Sequence, residues 1–321
     1  MHRSAYMFLL LTTLLWGGNS VAGKLAVGHV SPMTLVFLRW VLAVAILLPI
    51  GWRTMREDWP EVRRHWLVLA TLGASGFTLF NTIFYTALNY TTAINVSIEQ
   101  AAMPILIMTA NFVFFRLRVN WAQIIGVVLT IVGVILTACH GDPRRLLTLD
   151  LNFGDAIMLV AVFLYSGYSV GLRLKPVMRW QSLMLAMSVA ALVTSLPFFL
   201  WEIAAGKVII PDARGWSVVI YTAIGASVIS QMTYIRGNEL IGANRAGLFI
   251  NLVPIFGTLL SVLIVGEKFQ LYQALALLLV LGGIGLAEYS GRKAARLPSG
   301  NRLFAEKQKG ADDAAPFEPL S

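Results

Sequence analysis

Along nearly the whole chain, apolar residues come in blocks of about 20 with few or no charges, the length that crosses a hydrocarbon core of roughly 30 Å. In lipid no water can satisfy a backbone N–H or C=O, so blocks of this length have to be helices bonded within themselves. The residues are 57% hydrophobic and 13% charged, where a soluble domain carries about 25% charge. The sequence therefore predicts an all-α polytopic membrane protein.

Ten blocks read as spans, near Tyr6–Leu25, Met33–Gly51, Trp66–Ala87, Thr92–Phe115, Trp121–His140, Phe153–Leu172, Gln181–Trp201, Trp216–Ile235, Ala243–Val265 and Gln270–Tyr289. The first has the order of a signal peptide, Arg3 followed by YMFLLLTTLLW, but no A-x-A-like cleavage site follows it in a polar context. We expect it to be retained. Residues 291–321, rich in Lys, Gly, Asp and Pro, read as a disordered tail.

Adding 150 to a residue number lays one half on the other: Gly17 on Gly167, Arg64 on Arg214, Trp66 on Trp216, Pro104 on Pro254, Gln123 on Gln273 and Gly133 on Gly283. Trp, Pro and Gln are rare enough inside these blocks for the set to count as a duplication. The domains expected are a five-helix unit over 1–140, a connecting loop over 141–152, a second unit over 153–290 and the tail. Five crossings per unit send the second copy in from the opposite side, which makes the ten transmembrane helices two inverted five-helix repeats.

Lys and Arg then set the orientation. With both termini cytoplasmic, eighteen fall inside and six outside, so we expect both ends on the cytoplasmic side of an inner (cytoplasmic) membrane. The net charge of +9 sits in these gaps and in the tail, which argues against nucleic acid as a partner. One cysteine, Cys139, excludes an intramolecular disulfide and offers no metal cluster. Gly18 to Lys24 reads G-x-x-x-x-G-K, but Leu25 replaces the Ser or Thr of a P-loop and the stretch lies within a helix. No cofactor and no metal are expected.

The run LLWGGNSVAGKLAVGHVSPMTLVFLRW (Leu14–Trp40) resembles the opening of EamA-type transporters of the drug/metabolite transporter superfamily, with its Trp-Gly-x-Asn, Lys, Ser-Pro and Leu-Arg. VGEKFQLYQALALLLVLGGIGL (Val265–Leu286) is similar to that family's Gly-Glu-Lys/Arg signature before the last helix. The first copy departs from the pattern, reading FFRLRVN where Gly-Glu would stand near Arg116–Leu117. Any role of that acid is left to Glu267. The resemblance, over roughly residues 6–290, implies a secondary transporter, commonly an exporter of amino acids, other small metabolites or drugs. Its partners would be a small-molecule substrate, the lipid bilayer, and protons or a counter-substrate, in a monomer or homodimer.

A charged side chain in a span costs about 2.5–3.5 kcal/mol on insertion scales, so each one is informative. Arg39 and Glu99 qualify, and a rise of about 1.5 Å per residue puts both roughly 5–7 Å to the outer side of the midplane. They are expected either to neutralise each other or to meet charged groups of the substrate. Arg245 lies about 20 Å in height from Glu99 and is rejected as its partner.

Among neutral residues, Trp16, Asn19, Asn81, Tyr85, Gln231 and Tyr234 are candidate cavity lining, Asn81 mapping to Gln231 and Asn19 to Ser169. Pro104 and Pro254 should break the fourth and ninth helices. The fifth and tenth, nearly uniformly apolar, read as outer scaffolding, and Lys24 is expected to extend its amine to the outer interface. The rival classes are an intramembrane enzyme and a channel. GYSVG (Gly167–Gly171) and GASG (Gly73–Gly76) offer serines, but His2, His29, His65 and His140 lie at termini, loops or helix ends, away from either.

Overall fold

A computed structural model describes residues 2–115, 121–142, 152–241 and 249–296. Every regular element among them is helical. In chain order these are α1 (His2–Ala26), α2 (Pro32–Glu57), α3 (Trp59–Arg64), α4 (Trp66–Ala87), α5 (Ala93–Gln100), α6 (Met103–Phe115), α7 (Trp121–Ala138), α8 (Phe153–Gly171), α9 (Trp180–Ala204), α10 (Ala213–Gly237), α11 (Val253–Val265) and α12 (Leu271–Arg296). Seven helical segments are long and apolar enough to cross a membrane, among them Ala93–Ala110, which joins α5 to α6. Three shorter apolar helices, Trp121–Thr137, Val253–Val265 and Leu271–Leu286, stand at the fifth, ninth and tenth expected spans.

Some boundaries move. α2 continues past Gly51 to Glu57 with Pro49 inside it, and α12 continues past Tyr289 to Arg296. α3, WPEVRR, buries nothing and fills what reads in sequence as a gap. Arg116–Leu117, Arg245 and the tail from residue 297 lie outside the described residues.

Helix starts are marked by side chains that accept the free N–H groups of a first turn. Thr92 accepts from Asn95 N–H at 3.1 Å, Asn152 from Asp155 N–H at 3.2 Å and Asp212 from Gly215 N–H at 2.8 Å. That bond, with His29 Nδ1 at 2.7 Å from its carboxylate, holds the Asp212 carboxyl below its ordinary range.

Proline sets the breaks. The chain turns at Ala101–Ala102, with Pro104 in the first turn of α6, and again at Asn251–Leu252, with Pro254 in the first turn of α11. Three helices also carry π-helical stretches, GASGFTL (Gly73–Leu79) in α4, YTAIGASVI (Tyr221–Ile229) in α10 and SVLIV (Ser261–Val265) at the end of α11. Such turns are frequent at functional sites.

Packing pairs α7 with α12 and α2 with α9, while α1 lies on α10 and α11, and α8 on α4 and α6. Close approaches depend on glycine: a Cβ on Gly17 would sit 2.7 Å from the Gly257 backbone nitrogen, and one on Gly283 2.5 Å from the Gly126 carbonyl oxygen. The outward faces of α7 and α12 are apolar, with Ile125, Val128, Leu275 and Leu278 exposed. One residue of α12, Ile284, turns inward to the cavity, so the expectation of pure scaffolding fails at that position.

Candidate functional site

Where α1, α2, α4, α6, α8, α10 and α11 converge they enclose a cavity of about 520 Å³. Trp16 and Asn19 of α1, Arg39 of α2, Gln231 and Tyr234 of α10, and both helix-breaking prolines line it. Leu172, just past the end of α8, and Met184, in the first turns of α9, carry it towards the end of the bundle that holds the α8–α9 link.

Arg39 is 5% exposed and is held on three sides. Its Nε donates to Ser227 Oγ at 2.7 Å, and its Nη1 donates to Asn81 Oδ1 at 2.8 Å and to the Tyr85 hydroxyl oxygen at 2.5 Å. Tyr85 in turn donates to Asn19 Oδ1 at 2.8 Å. Asn81 and Tyr85 therefore stand behind Arg39 and are absent from the described lining. Depth along a helix, which the sequence supplies, leaves the facing direction open, and these two face the guanidinium.

Glu99 also departs from expectation. It is fully buried, neither carboxylate oxygen has a hydrogen-bond partner, and no ion pair joins it to Arg39 among the described residues. The two charges are level by arithmetic but are not partners. Glu99 sits one turn beyond Asn95, which donates to Asp155, and its neighbour Gln100 lines the cavity.

The lining also includes residues that sequence reasoning missed. Trp40 stacks on Phe77 at 4.8 Å, Phe77 meets Tyr168 at 5.9 Å, and Tyr165 meets Tyr168 at 5.3 Å. Trp16 of α1 and Tyr234 of α10 form a second aromatic group at 5.3 Å. Gln100 and Ile250, four residues before Pro104 and Pro254, both line the cavity. Proline has no N–H to return to the carbonyl four residues back, so this spacing was a usable signal.

The serine motifs have other surroundings. GASG is π-helical, Ser75 donating to the Thr71 carbonyl at 2.7 Å, and GYSVG lies inside α8. The described histidines 29, 65 and 140 sit against Asp212, Glu61 and Asp155.

A model of the EamA-like transporter family matches residues 3–139 and again residues 152–288. The chain belongs to that family. Among curated EamA relatives, the uncharacterized transporter YyaM of Bacillus subtilis (strain 168) is 26% identical over 88% of this chain and 93% of its own length. The uncharacterized inner membrane transporter YicL of Salmonella typhimurium is 25% identical over 92% of this chain and 98% of its own. A protein solved by crystallography shares the fold, with a TM-score of 0.61 at 20% identity, over 92% of this chain and 99% of that one.

In this EamA chain the motif residues of both halves grip one turn. Lys24 Nζ donates to the carbonyls of Leu88 at 2.9 Å and Thr91 at 2.7 Å. Its amine is thus spent on the α4–α5 turn, where two carbonyls lie within its reach. From the other half, Gly266 takes a left-handed φ of 76° that ends α11, which glycine adopts without strain. Glu267 then accepts from the backbone N–H groups of Ala93 at 2.8 Å and Ile94 at 3.0 Å, capping α5. The Gly-Glu signature is a turn and a helix cap here.

Proposed function

We propose that this EamA chain is a secondary active transporter that exports a small metabolite across the cytoplasmic membrane by alternating access. The observation that carries the reading is the pairing of cavity positions across the 150-residue offset. Asn19 and Ser169, Phe77 and Ser227, Gln100 and Ile250, Ala101 and Asn251, Met103 and Val253, and Pro104 and Pro254 are all lining residues. Helix contacts follow the same exchange, α1 on α10 and α11 against α8 on α4 and α6. Both patterns support ten transmembrane helices arranged as two inverted five-helix repeats about the cavity, whose rocking exposes it to each side in turn.

The excess of Lys and Arg favours both termini in the cytoplasm. The cavity then reaches towards the cytoplasmic side and the conformation is inward-facing. Because one chain holds both halves, a monomer suffices. Glu99 is the group we assign to the coupling ion. An acid sealed in one conformation and wetted in the other binds a proton at a different cost in each, and that difference links the proton to the cycle.

The test is flux in proteoliposomes with an imposed pH gradient, using solutes whose external level changes between cells lacking and overproducing the protein. Uptake that depends on the gradient and shows counterflow is expected; flux without counterflow would make the protein a channel. Glu99→Gln should abolish the pH dependence. Unchanged rate and pH dependence in that variant would end the coupling assignment while leaving transport itself in place.

A further inference from the structure

Arg39 is the only charged side chain among the described residues that line the cavity. A guanidinium has five N–H donors, and three are spent on Ser227, Asn81 and Tyr85, all of them neutral. The two on Nη2 have no partner among the described residues, and no carboxylate there lies within 4.0 Å. A desolvated cation without a counter-charge is costly by several kcal/mol. The tethers, with the Trp40 ring centroid 5.3 Å from the guanidinium carbon, fix its direction without supplying a counter-anion, which suits a group that waits for an anion.

The surroundings point the same way. Asn19 lines the cavity, and its Oδ1 is already taken by the Tyr85 hydroxyl, so its amide nitrogen is the donor left over. The residue 150 positions after Arg39 is Val189, so the positive pole exists in one half only. One fixed charge balances the single negative charge of a carboxylate, whereas a phosphate monoester carries more, and the two free N–H groups on Nη2 can donate to carboxylate oxygens. Beside it, Trp16 with Tyr234 and Trp40 with Phe77 provide flat apolar surface. About 520 Å³ lies within the usual size of small-molecule pockets.

We infer that the cavity takes an organic monocarboxylate with a flat apolar body, its carboxylate on Nη2 of Arg39 and its body against the aromatic side chains. The inference rests on the transporter reading and adds the substrate class to it.

The probes are 3-phenylpropionate, its amide and 3-phenylpropylamine, which share a body and differ in the head group. Binding to the purified full-length protein is measured by calorimetry, and flux by counterflow in proteoliposomes. The acid should bind at least about tenfold more tightly than the amide or the amine, as the loss of a charged hydrogen bond implies. Arg39→Gln should erase the difference between acid and amide, and Arg39→Lys should restore part of it. Should Arg39→Gln fail to fold, the three-probe comparison on the unaltered protein decides the matter, with Asn19→Ala expected to weaken the acid more than the amide. Equal binding of acid and amide, a preference for the amine, no binding of any probe, or an acid preference that survives Arg39→Gln would each overturn the inference. Counterflow of other solutes would still stand in those cases, so the transporter reading fails only if the broader solute survey also shows none.

Discussion

At the end of the bundle where α2 begins, buried or half-buried acids accept from backbone N–H groups and polar side chains. Glu202 accepts from Ser31 Oγ at 2.7 Å, from Thr34 Oγ1 at 2.8 Å, and from the N–H groups of Thr34 at 2.9 Å and Met33 at 3.3 Å. Glu267 caps α5, and Asp155 accepts from Thr91 and Asn95. At the opposite end, where α2 finishes, the comparable link is Arg179 against Glu57 and Asp58, in the open. Hydrogen bonds to a buried charge are worth about 1.5–3 kcal/mol each, whereas exposed ion pairs are weak and screened by salt. In the conformation seen, one end is locked and the other only latched. That contrast is what a cavity reaching towards the latched end requires.

Glu202→Ala offers the strongest challenge to this contrast. It strands several donors at the start of α2, and we expect a loss on the order of 3 kcal/mol, read as a lower thermal midpoint in detergent. Glu202→Gln, which keeps an acceptor, should recover part of it. Because the contact joins α9 to α2, the same variant should raise labelling from outside the cell of a cysteine placed at Asn19. A stable Glu202→Ala protein with unchanged labelling would mean that the locked end is held elsewhere.

Next in size comes a comparison inside the repeat. Gly17 and Gly167 are 150 residues apart, yet a Cβ at Gly17 meets the backbone of α11 and one at Gly167 meets nothing within 4 Å. Gly17→Ala should cost about 1–3 kcal/mol through overpacking. Gly167→Ala should be neutral or stabilise by up to about 1 kcal/mol through helix propensity. Equal effects in thermal unfolding would show that the two halves pack alike after all.

Much of this was legible in the chain because membrane helices announce themselves by length, and a polar or aromatic residue inside an apolar block announces itself by cost. Trp16, Asn19, Arg39, Gln231 and Tyr234 stood out in that way, as did the breaks at Pro104 and Pro254. What stayed hidden was direction. Depth follows from rise per residue, but which neighbour a side chain faces depends on packing, so Asn81 and Tyr85 were placed in the wall when they stand behind Arg39. Glu202 escaped notice because it sits one residue past Trp201, where a flanking charge looks ordinary. The π-helical stretches leave no mark in composition, since one widened turn changes no residue type.

The smallest expected effect belongs to the latched end. Arg179 hydrogen-bonds Asp58 and thereby holds the Asp58 carboxyl below its ordinary range. A depressed folded-state pKa means that the contribution is fully present above the unfolded carboxylate value and fades as pH falls through the lower, folded one. Arg179→Ala should therefore lower the thermal midpoint slightly at pH 7, by less than either change above. Wild type and variant should converge as the solution is acidified below the usual carboxylate range, and 1 M salt should shrink the gap at neutral pH. Were Arg179→Ala to cost as much as Glu202→Ala, and to do so regardless of salt and pH, the two ends would be equally locked and the inward-facing assignment would lose its physical basis.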